Sequence, residues 1–305
     1  MSQTLAIIIP TYRRKDSLTL LLNALLAQQG ITPEIIVVDQ NAPGFLDSSI
    51  PAAPNIKRVM LERPNVSDAR NKGFQHSSGD ILLFIDDDLV PENDFCAKGV
   101  GAFETYPSIG CFAPLVYNAD GRELALQQAR AKQVGTFPGN EEIFSMTDTI
   151  SAALFFRRAY YRLTGGFDPM LFDFAKTAED QEFFLRMRRK QLLLYFIPFI
   201  EVYHDETIPG GCDLRTVEYW ITREKCMKAW AYRYRIHHAP PGKLSFGDML
   251  RLSRSGFLNR EGLSSGIGKL FRQIRLLKNA IHSSDSYLKE RLARYLPVEK
   301  MDHLQ

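Results

Sequence analysis

Three aspartates, Asp86, Asp87 and Asp88, stand together directly after the apolar run ILLFI. Like charges this close repel, and the end of a buried strand solvates carboxylates poorly. The pattern therefore asks for a positive charge. Oxygen donors grouped in this way suit Mg²⁺ or Mn²⁺, and such a cation would in turn face a diphosphate. Three further signals accompany the cluster. Asp39 closes the run EIIVVD, Glu179 and Asp180 open EDQEFFLRMRRKQ, and His204 closes LLLYFIPFIEVYH. Carboxylates in the first turn of a helix are kept ionised by its dipole, and an ionised carboxylate at a site mouth can act as a general base. A histidine just past a strand end can ligate a metal. Each signal also has a plain structural reading: a solvated turn or helix start for the aspartates, capping for Glu179 and Asp180, a satisfied polar side chain for His204.

These residues need elements to hold them. LAIIIP at 5–10 is a short Ile-rich run stopped by proline, which reads as a buried parallel strand. DSLTLLLNALLAQQG reads as a helix capped by Asp16 and stopped by Gly30. EIIVVDQN and IKRVMLE read as strands, VSDARNKGFQHSSG as a helix closed by Gly79, and DILLFIDDD as a fourth strand. Strands alternating with helices of this length predict right-handed βαβ units and a parallel sheet. ISAALFFRR reads as a strand, RAYYRLTGG as a short helix with a glycine stop, and EDQEFFLRMRRKQ as a helix burying Phe183, Phe184 and Met187. The stretch ending at His204 reads as another strand. Ligands of open α/β sheets bind beyond the carboxyl ends of the strands. Pro10 and Tyr12, Asp39, and Asp86 to Asp88 would converge there, offering an aromatic, an acceptor carboxylate and an acidic cluster to a base, a ribose and a metal-bound phosphate. PTYRRKDS, after the first strand, carries neither glycine-rich phosphate signature, so the phosphates need another counter-charge.

The 305 residues suffice for one or two domains. The net charge of +3 hides an asymmetry: residues 1–212 carry −6 and residues 213–305 carry +9. This predicts a catalytic domain over 1–212 and a basic helical extension over 213–305. The four cysteines form no C-x-x-C pair, so free buried thiols are expected. No run is long enough to span a membrane and no signal peptide is evident, which makes a cytoplasmic location the expectation. In GIGKLFRQIRLLKNAI, Ile267, Leu270, Phe271, Ile274, Leu277 and Ile281 share one face, with Lys269, Arg272 and Arg275 elsewhere. Such a helix can lie on an anionic membrane, at the inner face of the cell membrane, or pack on the catalytic domain. The tail's aromatics do not alternate with its basic residues as a stacking platform would, which argues against nucleic acid.

IIIPTYRR, IIVVDQN, SDARNKG, LLFIDDDLVP, LTGGFDPMLF and AEDQEFFLR, in this order across residues 5 to about 210, resemble the family 2 glycosyltransferases. The resemblance implies the α/β nucleotide-diphospho-sugar transferase (GT-A) fold with a C-terminal helical extension. It implies that Pro10 and Tyr12 border the nucleotide base, that Asp39 accepts from a uracil or thymine imide, and that Arg70 reaches the nucleotide or its phosphates. Asp86 and Asp88 would be the outer carboxylates of a D-x-D motif, with Asp87 beside the donor. Asp88 would be the main metal ligand and Asp86 would serve ribose or metal. Asp180 would be the catalytic base with Glu179 beside the acceptor, and His204 a further metal ligand. The implied reaction is an inverting, metal-dependent transfer from a UDP- or dTDP-sugar to a hydroxyl of a glycan or lipid-linked acceptor. YWITREK is similar to a stretch of rhamnosyltransferase-like members, with Glu224 in place of an asparagine. The competing classes are a sugar-phosphate nucleotidyltransferase, which would want a glycine-rich basic loop after strand one, and an inactive nucleotide-sugar-binding module, which would have lost a motif.

Overall fold

The computed structural model describes residues 3–121, 127, 135–175 and 179–205, and the single positions 275, 278, 279, 282 and 286. In chain order the elements are β1 (Leu5–Thr11), α1 (Lys15–Leu26), β2 (Glu34–Asp39), β3 (Ile56–Met60), α2 (Val66–Gln75), β4 (Ile81–Ile85), β5 (Leu89–Pro91) and α3 (Phe95–Thr105). They continue with β6 (Cys111–Tyr117), β7 (Gly135–Phe137), β8 (Asn140–Met146), β9 (Ala153–Arg157), α4 (Arg158–Thr164), α5 (Pro169–Ala175), α6 (Glu179–Arg189) and β10 (Leu194–His204).

One sheet runs in the order β3-β2-β1-β4-β9-β6-β10-β8-β7, with β5 paired to β10. Strands β1 to β4 pair in parallel, as the strand–helix alternation predicts. Beyond β4 the sheet is mixed: β9 lies antiparallel between β4 and β6, while β10 runs parallel to β6 and antiparallel to β5 and β8. Alternate residues of each strand point to opposite faces. Ile7 and Ile9 join Leu18, Leu21, Phe103 and Phe155 in one core, and Ala6 and Ile8 join Phe74, Phe84, Tyr161 and Phe183 in the other. The chain leaves β1 toward β2 on one side and β4 lies on the other. The sheet order therefore reverses between β1 and β4, and a ligand crevice opens beyond their carboxyl ends.

Several element ends differ from the sequence reading. Arg14, not Asp16, is the N-cap of α1; Asp16 sits in the first turn, and the helix stops at Leu26, short of Gly30. Asn65 caps α2, accepting from Asp68 N at 3.1 Å. That helix ends at Gln75, so Gly79 is not its stop. Gly79 passes so close to β1 that a Cβ there would lie 2.5 Å from Ala6 N, which no larger residue tolerates. The expected glycine stop of α4 is Gly165, at φ 81°. Cys96 and Cys111 are buried and free; burial pushes the Cys96 thiol up to about 12 and Cys111 upward as well.

Among the described residues no helix is long and apolar enough to cross a membrane. The expected boundary at 212/213 and most of the basic extension lie outside the described residues. The exceptions are Arg275, Lys278, Asn279, His282 and Ser286, all helical and exposed. Their spacing of three and four places them on one helix face.

Candidate active site

The aspartate run is a tight turn between β4 and β5. Asp86 N donates to Ala152 O at 2.8 Å, and Leu89 N donates back to Asp86 O at 3.4 Å. Pairing of His204 with Leu89 in the β5–β10 ladder brings the imidazole against the turn. His204 Nε2 lies 3.2 Å from Asp88 Oδ2. Two arginines meet the other carboxylates. Arg14 Nη1 reaches Asp87 Oδ1 at 3.2 Å and also contacts Asp88 Oδ2, while Arg70 Nη2 reaches Asp86 Oδ1 at 3.0 Å. The repulsion evident in the sequence is thus answered partly by protein cations.

Environment separates the three aspartates. Burial drives the Asp87 carboxyl up to about 7 against the pull of Arg14. Burial also pushes Asp86 upward, opposed by Arg70. Burial acts in the same sense on Asp88, but the hydrogen bond from His204 and the charge of Arg14 outweigh it, and Asp88 is held below the usual carboxylate range. Asp88 is therefore the member of the run whose ionised form is most favoured.

Arg70 ties this turn to the start of α6. It projects from α2 and is almost fully buried, with its guanidinium 4.9 Å from the Phe167 ring. Its Nη2 also donates to Ser151 O at 3.3 Å, and its Nη1 lies 3.7 Å from Glu179 Oε1. Arg70 Nε and Nη1 are buried and donate no hydrogen bond to an acceptor among the described residues. Burial, with Asp180 next in line, raises the Glu179 carboxyl to about 7. Asp180 Oδ1 accepts from Gln181 N at 2.7 Å in the first turn of α6. Asp86, Arg70 and Glu179 are thus linked by direct contacts, as are Asp87, Arg14, Asp88 and His204; the two groups join through the aspartate run, and Asp180 adjoins Glu179 in the chain.

Asp39 stands at the end of β2, wholly buried. Its Oδ1 accepts from Asn41 N at 2.9 Å and Asn41 Nδ2 at 2.8 Å. Its Oδ2 accepts from Arg58 Nε at 3.0 Å and Arg58 Nη2 at 2.6 Å. A carboxylate has about four lone-pair sites, and these four bonds fill them. Direct base reading by Asp39 requires one of these donors to yield. Pro10 is buried opposite Val38 in the β1–β2 register, and Tyr12 lies under the Arg13 guanidinium at 4.9 Å. Arg14, Arg58, Asn41 and Phe167 are the site residues that the sequence reading missed. The basic pair Arg13-Arg14 directly after β1 was the available signal for the first of them.

The donor set bears on a divalent cation. Asp88 and His204 offer a carboxylate and an imidazole side by side, a combination that suits Mn²⁺. Among the described residues no three acidic, histidine or cysteine groups converge into a ready cage. Cations that work on diphosphates are held by one or two protein ligands plus the phosphates themselves, so the residues present fit that mode.

A sheet that reverses order at β1 and β4, with acidic strand ends over the crevice, defines an open α/β fold with a ligand crevice at its switch point. Residues 6–164 match the model of glycosyl transferase family 2, and the chain belongs to that family. An uncharacterized glycosyltransferase of Haemophilus influenzae is 33% identical over 109 residues, covering 34% of this chain and 36% of that relative. Among solved structures, S. aureus TarS 1–349 in complex with UDP-GlcNAc aligns with a TM-score of 0.61 at 18% identity, covering 99% of this chain and 89% of that one. The mannosyltransferase PcManGT from Pyrobaculum calidifontis, in complex with GDP-Man and Mn²⁺, aligns with a TM-score of 0.57 at 17% identity, covering 96% and 76%. At these identities the likeness is one of fold, the GT-A fold.

Proposed function

We propose that this protein transfers a sugar, with inversion, from a nucleoside-diphosphate sugar to a hydroxyl of a glycan or lipid-linked acceptor in polysaccharide or cell-envelope synthesis. Arg70 carries the reading. It touches the donor-side carboxylate Asp86 and the acceptor-side carboxylate Glu179 together, and two of its buried donor atoms lack a hydrogen-bond acceptor among the described residues. Diphosphate oxygens supply such acceptors, and a buried guanidinium binds them strongly.

Asp180 takes the proton from the acceptor hydroxyl. The resulting oxygen attacks the anomeric carbon while the bond to the departing diphosphate breaks on the opposite face. Arg70 stabilises charge growing on the leaving oxygens, and Tyr12 and Pro10 border the base. Mg²⁺ or Mn²⁺, held by Asp88 with His204 and Asp86 nearby, supplies Lewis-acid neutralisation of that charge when bound. A UDP- or dTDP-linked donor follows from the family resemblance. The basic segment 213–305 either contacts the inner face of the cell membrane peripherally, beside a lipid-linked acceptor, or packs on the catalytic domain.

Asp180→Asn tests the assignment. Donor affinity, read by calorimetry with a nucleoside diphosphate, should stay near wild type. The transfer rate should fall about 10²- to 10⁴-fold, the usual size of a lost general base. Near-normal transfer would move the base to Glu179. A nucleotidyltransferase would instead form nucleotide sugar from sugar phosphate and a nucleoside triphosphate in the same assay series.

A further inference from the structure

Arg14 stands where a cation would be expected. It follows Arg13, whose φ of 58° is left-handed, an uncommon state for a residue other than glycine. That backbone is held, because Arg13 N donates to Asn41 Oδ1 at 2.7 Å and Asn41 Nδ2 donates to Asp39 Oδ1 at 2.8 Å. The turn therefore aims the next side chain, Arg14, across the crevice from β1 to the end of β4. There one guanidinium nitrogen meets both Asp87 and Asp88. Asp88 Oδ2 receives Arg14 and His204 together. Arg14 Nε is buried and makes no hydrogen bond among the described residues. Arg14 is the N-cap residue of α1, and one fifth of its side chain is exposed.

We propose that Arg14 is a resident counter-cation of the aspartate turn, which a divalent cation must displace from Asp88 in order to bind. Arg14 and a divalent cation repel one another across Asp88 Oδ2, and the divalent ion carries the greater charge. Once displaced, the guanidinium fork suits a phosphate better than an ammonium would, so Arg14 turns from Asp88 to the leaving diphosphate. The chain then carries its own positive charge at the diphosphate, in addition to any metal. This inference rests on the donor-site reading above, and the first arm of its test uses no nucleotide, so the two can fail separately.

The first arm is Mn²⁺ binding to the full chain without nucleotide, read from the electron paramagnetic resonance signal of free Mn²⁺. Arg14→Gln and Arg14→Met should each bind Mn²⁺ about tenfold more tightly, because an opposing charge within a few ångströms shifts such equilibria by one or more decades. Arg14→Lys, which keeps the charge, should stay close to wild type. Adding Asp88→Ala to Arg14→Gln should abolish the gain. The second arm is UDP binding with Mn²⁺ present, which Arg14→Gln should weaken relative to wild type even though it binds the metal more tightly. Equal or weaker Mn²⁺ binding by a folded Arg14→Gln protein would overturn the proposal. Should Arg14→Gln not fold, Arg14→Met carries the same test, and Mn²⁺ binding by it no tighter than wild type overturns the proposal.

Discussion

Glu179 shows how burial sets a residue's chemistry even beside an arginine. Arg70 lies 3.7 Å away, yet the carboxyl is raised to about 7 because burial and Asp180 outweigh that attraction. The unfolded chain gives up this proton near the ordinary 4.5, and the folded chain keeps it up to about 7. Between those values the folded state binds more protons, so stability contributed here falls as pH rises, and the loss is complete above the folded value. Glu179→Gln cannot ionise and escapes that loss. Its unfolding midpoint relative to wild type should climb from pH 4.5 to pH 8, and a difference that stays flat across the range would show that Glu179 titrates normally. Asp39, Asp86 to Asp88, Glu179 and Asp180 were all legible in the sequence, because each sits where an apolar or periodic run begins or ends. Their partners were not. Arg14 meets Asp87 across 73 residues and Arg58 meets Asp39 across 19, and no local pattern encodes contacts at such separations.

Helix α6 presents Asp180 at one end and is anchored through a buried ion pair in its middle. Arg186 donates from Nε to Glu182 Oε1 at 3.0 Å and from Nη2 to Glu182 Oε2 at 2.8 Å, and both side chains are shut off from water. Arg186 also donates to the carbonyls of Thr164 and Gly166, the turn after α4. The same turn is clasped from α2, where Asn71 Nδ2 donates to Phe167 O and Asn71 Oδ1 accepts from Phe167 N, each at 2.9 Å. The anchor therefore links α6 to the helix that carries Arg70. Removing one partner of a buried pair strands the other's charge, which costs about 3–5 kcal/mol. Arg186→Met should lose that much in urea unfolding, and Arg186→Met with Glu182→Leu should regain part of it. Recovery stays partial because the Thr164 and Gly166 carbonyls remain without this donor. A loss below about 1 kcal/mol, the worth of an exposed pair, would refute the anchor. The apolar face of Phe183, Phe184 and Met187 made α6 readable in advance. The direction of β9 was not readable, since a strand's own residues carry no sign of whether its neighbour runs with it or against it.

Across the whole molecule the charge is divided, with −6 in residues 1–212 and +9 in residues 213–305. Within the acidic part, Arg14, Arg58 and Arg70 answer the carboxylates of the site, Asp39 and Asp86 to Asp88. The basic part has no comparable acidic complement within its own sequence. Arg275 and Lys278 are exposed on one helix face, and Lys269 and Arg272 precede them in the same periodic stretch. Each basic residue near an anionic lipid surface contributes about 1 kcal/mol, and salt screens that contribution. The apolar stripe from Ile267 to Ile281 would add hydrophobic attachment if it meets lipid. If this segment meets an anionic surface, the four basic residues together would contribute about 4 kcal/mol at low salt. In a flotation assay the wild type should rise with anionic vesicles, stay behind with neutral ones, and be released as salt increases. Changing Lys269, Arg272, Arg275 and Lys278 to Gln should abolish flotation while leaving nucleoside-diphosphate binding intact. A protein that floats with neither vesicle would instead use this segment as a cap on the catalytic domain or as a surface for a protein partner.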